Sequence, residues 1–165
     1  VIFIKDFHIP RTIKKTIKKH NYTFSFNKDF MAVISGCATV KRKDSDTTWI
    51  TDEMIEGYYK LFLMGRAFSI EVWEDSEIVG GLYGVKIEKY ISAESMFHKR
   101  DNASDAALIK LVQLCINSNI PMIDCQITSD HIFRYNAIEI TRKKFLDYLQ
   151  ILLNNKYPSI SKGLS

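Results

Sequence analysis

Residues 78–97, IVGGLYGVKIEKYISAESMF, read as two short β-strands joined by a polar turn at 86–89. Gly80, Gly81 and Gly84 interrupt the first strand. Glycine inside a strand weakens it, and marks a bulge or a close approach by another backbone or a ligand. The second strand ends in Glu94-Ser95-Met96-Phe97. Strand alternation puts Glu94 and Met96 on one face and Ser95 and Phe97 on the other. A carboxylate beside a methionine on a buried strand is costly unless a partner meets it. Glu94 is therefore either a structural ion-pair residue or part of a site.

Working outward, 67–73 (AFSIEVW) alternates as a strand, 74–76 is a hairpin turn, and 77–85 is the returning strand. A helix is expected over 52–64, opened by Thr51 and closed by Gly65. After the central hairpin, Asn102 is positioned as the N-cap of a long helix with Asp105 three residues on. Leu108, Leu111, Val112, Leu114 and Cys115 form the buried stripe of that helix. Residues 121–127 (PMIDCQI) read as a short buried strand, and a last helix spans about 142–153. Toward the N-terminus, 1–4 and 22–26 have strand character. Asn27 is placed to cap a helix over Phe30, Val33 and Ile34 that ends near Gly36, and a charged loop follows at 41–46.

This order predicts a single domain of α/β (α+β) class, with a mixed, mostly antiparallel sheet flanked by helices. It matches the core of the acetyltransferases (the GNAT architecture), with 66–155 as that core. Acetyl-CoA users need a glycine-rich turn at the start of the long helix, where backbone N–H groups take the pyrophosphate. Here that place reads KRDNASD at 99–105, with two aspartates and no glycine. Coenzyme A is not the expected donor.

Residues 1–43 hold ten Lys and Arg against two Asp, whereas the rest of the chain has an acidic excess. Within 11–20 (RTIKKTIKKH), Ile13 and Ile17 share one helix face, and the lysines cover the remainder. Lysines at i, i+4 repel by a few tenths of a kcal/mol, so the arrangement favours an anionic partner. Three widely separated cysteines fit a reducing compartment, and a cytoplasmic location is expected. No apolar run nears the ~20 residues needed to span a bilayer.

Asp124 and Gln126 lie two apart in an apolar run, so alternation aims both at one face while Cys125 faces the other. Asp is a poor strand former, which makes Asp124 a candidate base oriented by Gln126. His8, His20, His98 and His131 stand singly, and no metal-type spacing is present; neither a metal nor a cofactor is expected.

An ordered set of motifs carries a family resemblance: CAT at 37–39, TWI at 48–50, SIEVW at 69–73, VGGLYGV at 79–85, AESMF at 93–97, NAS at 102–104 and IDCQ at 123–126. From about residue 8 to 149 the chain resembles the leucyl/phenylalanyl-tRNA–protein transferases. The resemblance implies transfer of Leu or Phe from aminoacyl-tRNA to the N-terminal amine of proteins beginning with Lys or Arg, marking them for degradation. It implies that Asp124 and Gln126 handle the amine and that Glu94 lies near the aminoacyl end. Trp49, Leu82, Ile91, Met96 and Ile123 would form the adenosine and donor side-chain pocket, and Arg11, Lys14, Lys15 and Lys18 the tRNA-facing patch of segment 1–43.

The sequence also departs from that pattern. The family's N-terminal domain is expected to be absent. Phe62 and Phe68 stand where the family commonly has His. Asp105 replaces a usual Lys, and Arg134-Tyr135-Asn136-Ala137 replaces a Ser-Leu-Gly-Ala type turn. Two alternatives follow: a non-catalytic module binding tRNA or protein N-termini, and a transferase with altered donor or acceptor specificity.

Overall fold

The three strands predicted around residue 78 form the centre of the molecule. The computed structural model describes residues 1–39 and 49–154; the charged loop expected at 41–46 lies outside them. Strands β3 (Ala67–Glu74), β4 (Glu77–Ile87) and β5 (Tyr90–His98) form an antiparallel meander, and β2 (Thr23–Phe26) pairs with the outer edge of β3. The β3–β4 turn places Asp75 and Ser76 at φ 48° and 73°, the left-handed pair that suits the twist of a two-residue hairpin. Two further strands, β1 (Ile2–Phe3) and β6 (Met122–Ile123), pair antiparallel with each other. A single parallel bridge, Ser92 to Asp124, joins this small ladder to β5. The sheet is therefore mixed and mostly antiparallel, as the sequence predicts.

Helix α4 (Ala103–Asn117) packs on one face of the sheet, burying Leu108, Leu111, Val112, Leu114 and Cys115 against Ile70, Val72, Leu82 and Ile91. Each fully buried Leu or Ile contributes roughly 1.5–3 kcal/mol, so this layer dominates the core. Helix α1 (Arg11–Ile17) joins the same side through Ile13. On the other face, α2 (Phe30–Thr39) and α3 (Asp52–Leu63) enclose Tyr83, Phe97 and Ala67. The short α5 (Asp130–Phe133) and α6 (Arg142–Asn154) are the last of the described elements.

Close approach accounts for the glycines. A Cβ on Gly80 would lie 2.6 Å from Ala103 Cβ, where α4 crosses the sheet. At Gly84 a Cβ would overlap Ser92 O and come within 2.8 Å of the Phe68 ring.

Helix ends follow the sequence in one place and depart in others. Thr51 Oγ1 accepts from Met54 N at 3.3 Å, and Gly65 closes α3 at φ 68°. Asn27, expected to cap α2, instead sits at φ 56° and accepts from Ser69 N at 2.8 Å. Asp29 caps the helix, accepting from Ala32 N at 2.9 Å. That helix continues past Gly36 to Thr39. Asn102 precedes α4 but makes no side-chain cap bond. Beside Asn27 the fully buried Glu71 accepts from Ser25 Oγ and Ser69 Oγ, both at 2.5 Å, and from Lys28 N and Asp29 N. Four donors offset the cost of burying that charge.

Candidate active site

Strands β5 and β6 stay parallel for one bridge only. Asp124 N donates to Ile91 O and Ala93 N donates to Asp124 O, each at 2.9 Å. Beyond that point the two chains part, because Gln126 turns at φ 60° while β5 runs on to His98. At this fork β5 carries a bulge. Tyr83 pairs with Ser95 and Gly84 with Ala93, so Glu94 is the extra residue.

The bulge corrects the predicted face assignment. Met96 packs toward the α4-side cluster, whereas Glu94 Oε2 accepts from Tyr58 OH of α3 at 2.8 Å. One inserted residue reverses the alternation on which the shared face rested. The Gln126 side chain bridges the fork, with Nε2 donating to Glu94 Oε2 at 2.7 Å and to Ser92 Oγ at 3.0 Å. A carboxylate can only accept, so the amide end facing Glu94 is the NH2 group, and its two hydrogens are both engaged.

Asp124 is half-buried and bonded on both oxygens. Tyr90 OH donates to Oδ2 and Gln126 N donates to Oδ1, each at 2.8 Å. The expected strand over 121–127 is thus only Met122–Ile123 plus the bridge, and Ile127 is 75% exposed. Asp124 and Gln126 come together through this local turn and not through strand alternation. Burial, reinforced by the carboxylate each meets, raises both the Tyr58 and the Tyr90 phenol above the ordinary value. Both therefore remain hydrogen-bond donors at neutral pH. Burial also pushes the Cys125 thiol up to about 11, which leaves it un-ionised beside Asp124.

Glu94, Asp124 and Gln126 are thus brought to one place. Tyr58, Tyr90 and Ser92 join them, and sequence reading missed all three. Nothing distinguishes Tyr58 from the exposed Tyr59 in the sequence, and Tyr90 reads as a strand residue beside a turn. The predicted apolar pocket divides. Leu82, Ile91 and Ile123 have no accessible surface and back the site from within the core; Met96 is half-buried. Trp49 is 41% exposed, just ahead of the α3 cap. Arg11, Lys14 and Lys15 on α1, and Lys18 at its C-cap, are exposed. Phe62 stacks on Phe30 at 4.6 Å and Phe68 is buried, so both positions serve packing. A cavity of about 750 Å³, lined by Phe3, Ile120, Met122, Tyr148 and Leu152 among others, includes none of the fork residues. Among the described residues no three His, Cys, Asp or Glu side chains converge as metal ligands.

The leucyl/phenylalanyl-tRNA protein transferase family profile matches residues 1–150. The chain belongs to that family. The family's enzyme from Thermodesulfovibrio yellowstonii is 49% identical over 150 residues, covering 91% of this chain and 62% of the relative. That of Lawsonia intracellularis is 42% identical over 151 residues, covering 92% and 66%. The chain thus spans just under two thirds of the length of these curated relatives. Among solved structures, L-PGS from Bacillus licheniformis superposes with a TM-score of 0.54 at 12% identity, over 93% of this chain and 64% of that one. A "predicted acetyltransferase with acetyl-CoA" from Clostridium acetobutylicum gives 0.51 at 14% identity, over 74% and 92%. At such identity these two establish the acetyltransferase-like fold alone.

Proposed function

We propose that this chain carries the aminoacyl-transfer centre of its family, moving Leu or Phe from aminoacyl-tRNA to the N-terminal α-amine of proteins that begin with Lys or Arg. The observation that carries this reading is the Gln126 amide spanning the fork to Glu94, with Asp124 one turn away. The donor ester is already activated, so the protein's task is to hold amine and ester together and to move one proton. Gln126 has committed its N–H groups, so its carbonyl oxygen and the remaining lone pairs of Asp124 accept from the incoming amine. An α-amine has a pKa near 7.7–8.0, so a modest base suffices. Its nitrogen bonds to the ester carbon, the bond to the ribose oxygen breaks, and the amine's proton passes through Asp124 to that leaving oxygen.

Glu94 faces the aminoacyl end, and Trp49, just ahead of α3 on the same face as Tyr58, offers accessible apolar surface for the Leu or Phe side chain. Met96, on the α4 face, backs the sheet from behind. The exposed Arg11, Lys14, Lys15 and Lys18 contact acceptor-stem phosphates, a salt-dependent and sequence-independent grip. No coenzyme A takes part, since the segment before α4 offers no glycine turn for its pyrophosphate. Three widely separated cysteines fit a cytoplasmic protein, and no described helix is long and apolar enough to cross a membrane.

The test is incubation with leucyl-, phenylalanyl- and arginyl-tRNA and peptides starting with Lys, Arg, Asp or Ala. Leu or Phe joined to Lys- and Arg-starting peptides is expected. Charged-tRNA binding without any amide product would instead make this chain a binding module.

A further inference from the structure

Asp105 is only 4% exposed although it lies in the first turn of α4. A carboxylate that deep is strongly destabilising unless it is bonded, and removing one partner of such a cluster is costly. Its side-chain partners come from one stretch, residues 131–135. Tyr135 OH donates to Oδ1, Arg134 Nη2 lies 3.6 Å from it, and His131 Nε2 lies 3.3 Å away, misaligned for a hydrogen bond. Arg134 Nη2 also donates to His131 Nδ1 at 2.7 Å. An arginine can only donate, so Nδ1 is the acceptor and the ring proton sits on Nε2, facing Asp105. Asp105 and the Arg134–Tyr135 turn are two of the departures from the family pattern noted in the sequence, and here they touch.

The gripped stretch begins five residues after Gln126. Gln126 is exposed and in a left-handed conformation, which a non-glycine residue holds only when its surroundings impose it. Upstream the constraint is Asp124 Oδ1. Downstream, Phe7 stacks on Tyr135 at 5.5 Å and Asn136 Nδ2 donates to Asp6 O. Among the described residues, the Asp105 contacts tie the stretch to α4 through a buried charge, beside the apolar packing of Ile132.

We propose that Asp105 is a positioning residue for the transfer centre. By holding His131, Arg134 and Tyr135 it fixes the segment after Gln126, and so keeps the Gln126 amide against Glu94 and Ser92. The activity arm of the test rests on the functional reading above; the exchange arm does not.

Steady-state transfer by Asp105→Ala, Asp105→Asn, Gln126→Ala and the Asp105→Ala/Gln126→Ala double variant tests the assignment, alongside amide hydrogen exchange. Asp105→Ala should lower kcat about ten-fold with KM for aminoacyl-tRNA within about two-fold, because sub-ångström misplacement of a reacting group acts on kcat. Asp105→Asn, which can still accept from Tyr135, should recover part of that loss. In the Gln126→Ala background Asp105→Ala should add less than about two-fold, since the two act through one element. Exchange should accelerate over 127–137 in Asp105→Ala and stay unchanged in β3 to β5. A second full loss in the Gln126→Ala background, or unaltered exchange over 127–137, overturns the proposal. If Asp105→Ala does not fold, Tyr135→Phe removes one hydroxyl and is read in the same way. A wild-type protein that transfers nothing overturns the functional reading, and the exchange comparison then decides the positioning role by itself.

Discussion

Gln126 Nε2 lies 2.7 Å from Glu94 Oε2, a contact that reconnects two strands just after they separate. Gln126→Glu would set two carboxylates against each other. Like charges at that distance cannot both ionise without penalty. Transfer should fall about 10²-fold at pH 8 and recover in part as the pH drops, when one carboxyl protonates and again donates to the other. A pH–rate profile of the variant reads this directly. A loss that does not change with pH would mean that Glu94 and Gln126 act separately.

Asp124→Asn keeps one oxygen for Gln126 N, turns the other position into an NH2 that the Tyr90 hydroxyl can accept from, and removes the charge proposed to take the amine's proton. Transfer should drop ~10²–10⁴-fold, the range for losing a positioned general base. Binding of charged tRNA should change little. Single-turnover transfer at saturating tRNA is the measurement, and a near wild-type rate would leave Asp124 a purely structural role.

Burial holds His131 below its ordinary value of 6.5, with Asp105 opposing the shift and Arg134 and His98 adding to it. The unfolded chain then takes up a proton before the folded one does as the pH falls. The stability linked to neutral His131 is complete above 6.5 and is lost on acidification through its lower folded value. Melting curves between pH 8 and pH 5 should show a decline that His131→Gln makes shallower. Parallel curves for both proteins would remove His131 from the account.

Gly84 faces Ala93 beside the Glu94 bulge. Gly84→Ala forces a methyl group against Ser92 O and the Phe68 ring. Overpacking of this kind costs about 1–3 kcal/mol. Because Ser92 Oγ also accepts from Gln126, transfer should fall together with the denaturation midpoint. Unchanged stability in urea would show that the sheet yields there at no cost.

The hairpin core was legible because its alternation, turn residues and glycines all point the same way, and each of those signals is local. The α3 cap and its closing Gly65 were legible for the same reason. Glu94, Asp124 and Gln126 could be singled out as polar residues in apolar runs, but their mutual arrangement could not. It depends on a one-residue bulge and on a left-handed Gln126, and neither changes hydrophobic periodicity. Asn27 and Asp29 both have side chains able to cap a helix, and the Asn27 oxygen is taken by Ser69 N of β3, a long-range partner that no local signal announces. Asp105 at the third position of a helix looks like an ordinary first-turn acid. Its inward turn follows from Tyr135, thirty residues on.

The fork also has a consequence for the order in which the molecule is made. Tyr58 meets Glu94 across 36 residues, Gln126 meets Glu94 across 32, and Tyr90 meets Asp124 across 34. The meander closes on turns of two residues, but the fork must wait until α4 has docked and brought β6 back alongside β5. Long-range closure of that kind comes late in folding. Destabilising changes at Tyr58 or Gln126 should therefore accelerate unfolding and leave refolding almost untouched, whereas changes in the meander slow refolding. A chain still emerging from the ribosome would hold a finished hairpin and no assembled fork until Gln126 is clear of the tunnel.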